Sequence, residues 1–299
     1  MVRYLCAGGD ALVVSPFKKK ITTMLTKIFP NTFEFKDYQV YGKDRYLLFI
    51  SDVHLDSVHC DRAKLKEHLD LAMERNALVF IFGDLLDLMQ GKYDPRSNKA
   101  DLNPKYNSAK YIDEVIKDVV EFLTPYKSIL AFYSPGNHET SVEKRIEYGI
   151  VDKICSHLEM SQGNYSGYIY CRFFSNFEEG AKYPLIIGYH HGYGGGGPVT
   201  RDVIQTNRKA VYLPDCNVII SGHTHDRWIV PITRNRIGRY GEKIDQQWHI
   251  KTGTYQNAPI NFNGYAVEKG LSPKAGAGIW MKYTIDKVNQ LHYNFQFAE

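Results

Sequence analysis

The 299-residue sequence lacks a run of about 18 consecutive apolar residues, the length that an α-helix needs to cross a bilayer. We therefore expect no transmembrane helix and no membrane partner. The N-terminus has one feature of a secretory signal peptide, since Arg3 precedes a partly apolar stretch. However, Asp10 interrupts that stretch and the lysines at 18–20 follow it. We therefore interpret this segment as mature protein and predict a cytoplasmic location.

Cysteine is sparse, and no two cysteines have C-x-x-C spacing. The five cysteines are dispersed between Cys6 and Cys216. An odd, dispersed set argues against a disulfide framework and favours a reducing compartment with buried free thiols. The sequence also lacks internal repeats and low-complexity tails.

Charge of one sign is not in large excess either. The 37 Lys and Arg residues face 33 Asp and Glu residues, which gives a net charge of +4. This mild surplus is compatible with a phosphate-bearing substrate, but it is also typical of ordinary solvated surface. The chain is 43% hydrophobic and 23% charged, as soluble globular proteins are, and its length suits one large domain or two small ones.

Apolar runs that end in polar residues occur three times in the first half of the chain. They span residues 45–54, 77–84 and 128–138. Each is typical of a buried strand with functional groups at its C-terminal end. Apolar positions at helical spacing predict a helix over 61–75, and a second helix is expected over 109–124, ended by Pro125.

The remaining segments complete a mixed pattern. We expect helices over 18–29, ended by Pro30, and over 143–158. Strands then dominate, at 166–174, 185–189, 218–220 and at several places after 227. This order predicts a layered α/β fold with two facing sheets covered by helices.

A polar segment at 91–108 follows the second apolar run and contains two prolines. It predicts a surface loop. Because long loops are often functional, this loop could cover a site and set the choice of substrate, although an ordinary surface insertion is the simpler interpretation.

Metal-binding side chains follow five of the predicted strands. The motifs are Asp52-Val-His54, Gly83-Asp84 with Asp87, Gly136-Asn137-His138-Glu139, His190-His191-Gly192 and Gly222-His223-Thr-His225. Loops at the C-terminal ends of strands are where α/β folds place their sites. Each motif alone is only a hypothesis, but five in series, each closing an apolar run, indicate a single site.

The residue types suit a pair of metal ions. Carboxylate, imidazole and amide oxygen ligands together suit Mn²⁺, Fe, Zn²⁺ or Mg²⁺. Two ions about 4 Å apart clamp a phosphoryl group and activate a water, and they need a bridging carboxylate. Glycines let the backbone turn sharply beside the ions, and they occur in four of the motifs: Gly83, Gly136, Gly192 and Gly222.

The five motifs resemble the signature of the calcineurin-like metallophosphoesterase superfamily, which includes phage and bacterial members. That signature runs Asp-x-His, Gly-Asp-x-x-Asp, Gly-Asn-His-Asp/Glu, a His near Gly, and Gly-His-x-His, and every part is present in order within residues 46–225. The resemblance implies a double β-sandwich flanked by helices, with four layers in the order α/β/β/α. We expect a single domain over 1–299, with an N-terminal extension at 1–45 and closing strands at 226–299.

The resemblance also implies which residues bind metal. One ion is expected on three side chains: Asp52, His54 and His225. The second ion is expected on Asn137, His223 and one of the adjacent histidines His190 and His191. Only one of that pair can occupy the ligand position, and we favour His191. Mn²⁺ is the favoured metal, with Fe, Zn²⁺, Mg²⁺ and Ni²⁺ as alternatives.

Four further residues are expected to act beside the ligands. Asp84 would bridge the two ions and is one of the two predicted catalytic residues. The other is His138, expected to be a general acid or an electrostatic partner of the leaving oxygen. Asp87 and Glu139 are expected to orient the imidazoles.

The resulting hypothesis is a dinuclear phosphoesterase, more specifically a phosphodiesterase or nuclease, that acts through a metal-activated water. Two other interpretations compete with it. An amidohydrolase barrel also uses His-x-His and Asp, but in the reverse order and without Gly-Asn-His. A non-catalytic metal-binding scaffold could share the fold, but such proteins usually lose ligands or the acid histidine, and all are present here.

The substrate is the open part of the hypothesis. A nuclease is the leading specific candidate, because basic groups bind phosphate backbones and aromatic rings stack on bases. The sequence offers Arg234, Arg236, Arg239, the lysines at 18–20 and 22 tyrosines. These residues are scattered, so small-molecule phosphodiesters, nucleotides and phosphoproteins remain alternative substrates.

Overall fold

The computed structural model describes residues 25–38, 40–88, 103–175, 182–195, 197, 199–238, 241–256, 274 and 276–299. The helices of these residues are α1 (Arg62–Glu74), α2 (Tyr111–Leu123), α3 (Asn137–Ile146), α4 (Ile150–Leu158) and α5 (Val203–Tyr212). Short 3₁₀ helices lie at Pro104–Tyr106 and Thr124–Tyr126. None of these helices is long and apolar enough to cross a membrane.

The strands form two sheets. In chain order they are β1 (Leu25–Phe29), β2 (Thr32–Asp37), β3 (Arg45–Ile50), β4 (Leu78–Phe82), β5 (Leu130–Ser134), β6 (Ser161–Gln162), β7 (Ser166–Phe174), β8 (Lys182–His190), β9 (Val218–Ser221), β10 (Arg227–Gly238), β11 (Gly241–Thr252), β12 (Ile279–Ile285) and β13 (Leu291–Phe297). One sheet has six strands in the order β13-β12-β3-β4-β5-β6, and the other has seven in the order β1-β2-β7-β8-β9-β11-β10.

Parallel strands at the centre of each sheet direct their carboxyl ends to one edge of the molecule. In the six-stranded sheet β3, β4, β5 and β6 are parallel neighbours. In the seven-stranded sheet β9 is parallel to both β8 and β11. Functional loops in α/β folds leave from such carboxyl ends.

Two apolar clusters hold the layers together. The cluster between the sheets is rich in phenylalanine, including Phe49, Phe80 and Phe132. The second cluster lies between the six-stranded sheet and its helices and includes Leu69 of α1 and Val119 of α2. With α5 covering the seven-stranded sheet, the layers follow the order α/β/β/α, which confirms the predicted fold class.

Two predicted elements differ from the structure. The helix predicted over 18–29 is wrong for 25–29, which form β1 and pair antiparallel with β2; residues 18–24 lie outside the described residues. The helix predicted over 143–158 is divided into α3 and α4, because Glu147 adopts a left-handed φ of 52° at the end of α3. Most of the predicted 91–108 loop lies outside the described residues.

Candidate metal centre

Loops from both sheets bring the predicted site residues to one edge. Asp52 and His54 follow β3, and Asp84 follows β4. The Gly-Asn-His motif follows β5 and forms the start of α3, and the last two histidine motifs lie at the end of β8 and after β9. Distant parts of the sequence therefore meet at the carboxyl ends of parallel strands.

The first donor group consists of Asp52, His54 and His225, whose ligand atoms lie within 4.8 Å of one another. The Nε2 atoms of His54 and His225 are 3.2 Å apart. Asp52 Oδ1 lies 3.5 Å from His225 Nε2. This is the set expected for one metal ion.

The second donor group consists of Asp84, His191 and His223, again within 4.8 Å. Asn137 joins it, because its Oδ1 lies 3.2 Å from His191 Nε2 and 2.7 Å from His223 Nδ1. His190 lies outside the group: its Nδ1 accepts a hydrogen bond from the Gly192 N–H at 3.0 Å. The structure thus brings His191, and not His190, to the position expected for the second ion.

Asp84 lies between the two groups. Its Oδ2 is 3.0 Å from His191 Nε2 in the second group. It also forms a third cluster within 4.8 Å with His54, from the first group, and His138. The His138 ring is close, with Nε2 3.8 Å from Asp84 Oδ2. Asp84 is therefore placed where a carboxylate could reach both ions.

The hydrogen bond of His191 shows which of its ring nitrogens is available to a metal ion. His191 Nδ1 lies 2.9 Å from the Phe82 carbonyl oxygen, which only accepts, so Nδ1 carries a proton and only the Nε2 lone pair is available to a second proton or to a metal. That lone pair faces acceptor oxygens of Asp84 and Asn137. Acceptors that face one another in a buried site need a cation between them, so the donor set fits a metal ion.

The electrostatics of the second group agree with this conclusion. Burial lowers the pKa of His191, but the charges of Asp84 and Asp52 and the hydrogen bond that His191 donates to Asp84 outweigh it and raise the pKa to about 9. Burial would raise the pKa of Asp84, yet His191, His138 and His54 hold it well below its usual range. The site therefore draws positive charge to these atoms, which a divalent cation can supply in place of a proton.

The pKa is raised at one histidine of the first group, His54, and lowered at two other histidines of the site, His225 and His223. Burial lowers the pKa of His54, but the hydrogen bond and charge of Asp87 and the charges of the nearby aspartates raise it to about 9. Among the described residues, no carboxylate pairs with His225 Nδ1, and burial lowers the pKa of His225 to about 4. Burial and the charge of His191 also lower the pKa of His223. Neutral imidazole, the form that binds metal, is thereby favoured at His225 and His223.

Asp87 and Glu139 stabilise the site in different ways. Asp87 Oδ1 lies 3.0 Å from His54 Nδ1, so Asp87 orients an imidazole as expected. Among the described residues the Glu139 carboxylate forms no hydrogen bond with an imidazole; it accepts hydrogen bonds from the backbone N–H groups of Asp84 (3.1 Å), Leu86 (3.0 Å) and Gly136 (2.8 Å). Glu139 therefore holds two motif loops together rather than orienting a ring.

Glycine is required at two close approaches. A Cβ on Gly136 would lie 2.1 Å from Asp84 Oδ1, and one on Gly222 would lie 2.3 Å from Asp52 Oδ2. No side chain fits at such distances. The motif loops are also tightly bent, because several ligands adopt a left-handed φ that non-glycine residues rarely use: Asp52 (49°), His54 (49°), Asp84 (49°), His223 (76°) and His225 (60°).

Four residues outside the predicted set support the ligands. Asp56 accepts the backbone N–H groups of Asp87 and Leu88. Ser51 donates to Asp52 Oδ2, and Thr254 Oγ1 donates to the Asp52 carbonyl oxygen at 2.7 Å. Lys251 donates to the Gly222 carbonyl oxygen. Asp56 and Ser51 adjoin the first motif, which is a usable sequence signal; Lys251 and Thr254 lie far from any motif.

The fold and the donor cluster together define a four-layer α/β protein with a metal-binding edge. Residues 46–227 match the family model of calcineurin-like phosphoesterases, which is more than half of the chain. The chain belongs to the calcineurin-like phosphoesterase family, as the motifs predicted. This family generally binds divalent metals and hydrolyses phosphoesters.

Solved structures give weaker likenesses. Vacuolar protein sorting 29 from Cryptosporidium parvum is 12% identical, with a TM-score of 0.39, over 86% of this chain and 99% of that one. Vps29 complexed with Zn²⁺ from Entamoeba histolytica is 11% identical, with a TM-score of 0.36, over 84% and 98%. A conserved uncharacterized protein from Streptococcus pneumoniae is 9% identical, with a TM-score of 0.33, over 85% and 90%. No curated protein sequence matches the chain.

Proposed function

We propose that this chain is a dinuclear metal-dependent phosphodiesterase. The observation that carries the proposal is the meeting of two complete donor groups at one carboxylate, Asp84. Two-metal sites of this kind catalyse in-line displacement at phosphorus. Retention of His138 beside the cluster supports a catalytic protein rather than a metal-binding scaffold.

The donor residues divide into two sets, one for each ion. Asp52, His54 and His225 would hold one ion, and Asn137, His191 and His223 the other, with Asp84 shared. The mixture of carboxylate, imidazole and amide oxygen favours Mn²⁺ among the divalent ions. When bound, the ions would polarise the phosphoryl oxygens and lower the pKa of water from 15.7 to about 7.

His138 is placed to move a proton. Its Nδ1 donates to the carbonyl oxygen of Asp87, so this nitrogen is committed to holding the ring. The free nitrogen is Nε2, 3.8 Å from Asp84 Oδ2 at the cluster. A proton on Nε2 would pass to the leaving oxygen, a step that contributes about 10²–10⁴-fold as general acid catalysis.

The contacts of the cluster's aspartates support a diester rather than a monoester as the substrate. Among the described residues, no Lys or Arg side chain donates a hydrogen bond to Asp52, Asp84 or Asp87. Lys251 is nearby, but its charge is paired with Asp202 at 2.6 Å. A phosphodiester carries one negative charge and a monoester up to two, so the diester needs less compensation from the protein.

Two of the three arginines that suggested a nuclease, Arg234 and Arg236, are paired with other groups. Arg234 Nε binds Asp245 at 2.8 Å, and its Nη1 donates to two backbone carbonyl oxygens. Arg236 contacts Asp245 at 3.5 Å and Asp215 at 3.8 Å. Arg239 and the lysines at 18–20 lie outside the described residues. β10 therefore gives the nuclease hypothesis little support, and a small phosphodiester is the first substrate class to test.

The test is hydrolysis of bis(p-nitrophenyl) phosphate and p-nitrophenyl phosphate with added Mn²⁺, before and after chelation, with metal content measured in parallel. Asp84→Asn is the active-site variant. Asp37→Asn is the matched control, since Asp37 is also a fully buried carboxylate but binds Arg45 and Tyr283 in the body of the fold. We expect chelator-sensitive turnover, faster on the diester, that Asp84→Asn reduces by at least 10²-fold and Asp37→Asn preserves.

Two outcomes would contradict the proposal. If the Asp84→Asn variant kept wild-type activity and metal content, Asp84 would not bridge the two ions. Two bound metals without turnover of diester, monoester or a single-stranded oligonucleotide would move the scaffold interpretation to the front. Cleavage of the oligonucleotide alone would establish the nuclease.

A further inference from the structure

Asp56 is a buried carboxylate next to the first metal-binding motif. It is only 4% exposed. Its oxygens accept hydrogen bonds from the backbone N–H groups of Asp87 and Leu88, the latter at 3.0 Å, and from the Tyr111 hydroxyl at 3.1 Å. A buried carboxylate that accepts three hydrogen bonds fixes the groups that donate them.

The segment that Asp56 holds is strained. Leu88 has a left-handed φ of 53°, a conformation that a leucine adopts only when its surroundings impose it. Asp56 Oδ2 accepts the N–H of this residue, and Oδ1 accepts the N–H of the residue before it. Asp56 therefore stabilises the backbone turn at 87–88.

This turn controls two imidazoles of the site. The Asp87 carboxylate lies 3.0 Å from His54 Nδ1, which orients a metal ligand. The Asp87 carbonyl oxygen accepts a hydrogen bond from His138 Nδ1, which orients the residue placed to protonate the leaving group. One backbone segment thus sets both rings, and Asp56 is what holds that segment.

We propose that Asp56 is a positioning residue that, through Asp87, fixes the rings of His54 and His138 in the orientation that catalysis requires. Its catalytic consequence rests on the proposed phosphodiesterase function. Its structural consequence does not, because the two Nδ1 hydrogen bonds exist with or without turnover.

The variant Asp56→Asn tests this proposal. The amide oxygen can still accept one backbone N–H, but the NH₂ group then faces the other N–H, so the turn at 87–88 must shift. We expect a loss of about 10- to 100-fold in kcat with KM little changed, as for other groups that orient metal-site histidines. Tyr111→Phe removes only the hydroxyl contact to the same carboxylate and should give a smaller loss in the same direction.

A series of diesters with leaving groups of increasing pKa distinguishes positioning from general damage. Poor leaving groups depend most on protonation by His138. The loss caused by Asp56→Asn should therefore grow with the leaving-group pKa, in parallel with the loss caused by His138→Ala. The control Asp37→Asn, a buried carboxylate in β2, should show no such trend.

Proton NMR of the Zn²⁺-loaded protein supplies a readout that does not need activity. Nδ1–H protons held by hydrogen bonds exchange slowly and resonate far downfield, and His54 and His138 should each give such a signal. We expect Asp56→Asn to shift or broaden both signals and Asp37→Asn to leave them in place.

The results of these experiments distinguish failure of the positioning role of Asp56 from failure of the proposed phosphodiesterase function. Unchanged Nδ1–H signals in folded Asp56→Asn, or a rate loss that does not vary with the leaving group, would overturn the positioning role. If the wild type hydrolyses no phosphodiester, the proposed function fails, but the NMR comparison still decides whether Asp56 orients the two rings. If Asp56→Asn does not fold, Tyr111→Phe is judged by the same two criteria.

Discussion

The outer faces of the two sheets are covered in opposite ways. The six-stranded sheet is covered by α1, α2 and α4 through apolar side chains such as Leu69 and Val119. The seven-stranded sheet is covered by α5, whose buried residues are polar: Thr206 and Lys209. Apolar residues of α5 lie instead on its exposed side: Ile204 (54% exposed), Val211 (76%) and Tyr212 (71%).

The difference shows that α5 is held by charge and hydrogen bonds rather than by apolar area. Beneath it, β11 contributes Gln247, His249 and Lys251, all buried. Lys251 binds Asp202, the residue before α5, at 2.6 Å and also donates to the carbonyl oxygen of Gly222 in the metal-binding loop. The polar cover thus connects a helix to the metal centre through Lys251, whereas the apolar contacts of residues such as Leu69 stabilise the fold.

Lys251→Met tests the polar cover and should have the largest effect of the variants considered. It leaves Asp202 buried without its cation, and breaking a buried ion pair on one side costs about 3–5 kcal/mol. We expect the free energy of unfolding, measured in urea, to fall by that amount and the affinity for Mn²⁺ to fall with it, because Gly222 loses its donor.

The double variant Lys251→Met/Asp202→Asn is the control. Removing the unpaired carboxylate as well should recover most of the lost stability, and asparagine tolerates the left-handed φ of 66° at position 202. A single variant within 1 kcal/mol of the wild type would show that the pair does not hold α5.

Leu69→Ala is the corresponding test of the apolar cover. Leu69 is fully buried in the cluster beneath α1, and truncating such a side chain leaves a cavity that costs about 2–5 kcal/mol. Unfolding in urea should show this loss, while the affinity for Mn²⁺ at sub-denaturing conditions should not change. A matching fall in metal affinity would mean that the two covers are not distinct.

The apolar cover is also the one that the sequence predicts. Apolar residues at helical spacing predicted α1, the segment before Pro125 predicted α2, and apolar runs predicted β3, β4 and β5. The polar cover was not predicted, because Gln247, His249 and Lys251 alternate with Trp248 and Ile250. That alternation is typical of a strand with one solvent-facing side, and only tertiary structure shows that α5 covers it.

The candidate site was likewise predicted from the sequence only in part. Short motifs at strand ends were sufficient to predict which side chains meet, including the preference for His191 over His190. Lys251 could not be assigned from the sequence, and Asp56 had only its nearness to the first motif as a signal, since each acts through the backbone of another loop, Gly222 or Asp87–Leu88. Backbone contacts leave no residue-type pattern, so the side chains that meet at the site were predicted but many of the contacts that support them were not.

Lys209, a buried residue of α5, should make the stability of the protein depend on pH. Burial and the charge of Lys251 lower its pKa to about 8, against the attraction of Asp202. The unfolded chain therefore keeps this proton up to a higher pH than the folded one, and stability should rise as the pH increases from 8 through 10.5. His190 and His249 also face this lysine, but burial lowers the pKa of each to about 4, so they stay neutral in that window.

Lys209→Met removes this titration. Below pH 8 the variant should be more stable than the wild type, by on the order of 2–3 kcal/mol, because it buries no charge. The difference should shrink toward zero above pH 10.5, when the wild-type lysine is neutral in both states. Urea unfolding of both proteins across this range measures it, and a difference independent of pH would show that Lys209 is not desolvated.

Thr206→Val makes the smallest change under α5. The Thr206 hydroxyl is buried and has no hydrogen-bond partner among the described residues, as is also true of Asp202 Oδ1 and Ser221 Oγ. Valine has the same shape, so replacing an unpartnered hydroxyl should raise the free energy of unfolding by about 1 kcal/mol. Thr206→Ser, which keeps the hydroxyl and loses the methyl group, should lower it instead. If valine destabilises the protein, the hydroxyl is hydrogen-bonded in solution, and the polar layer under α5 encloses water that links the helix to the sheet.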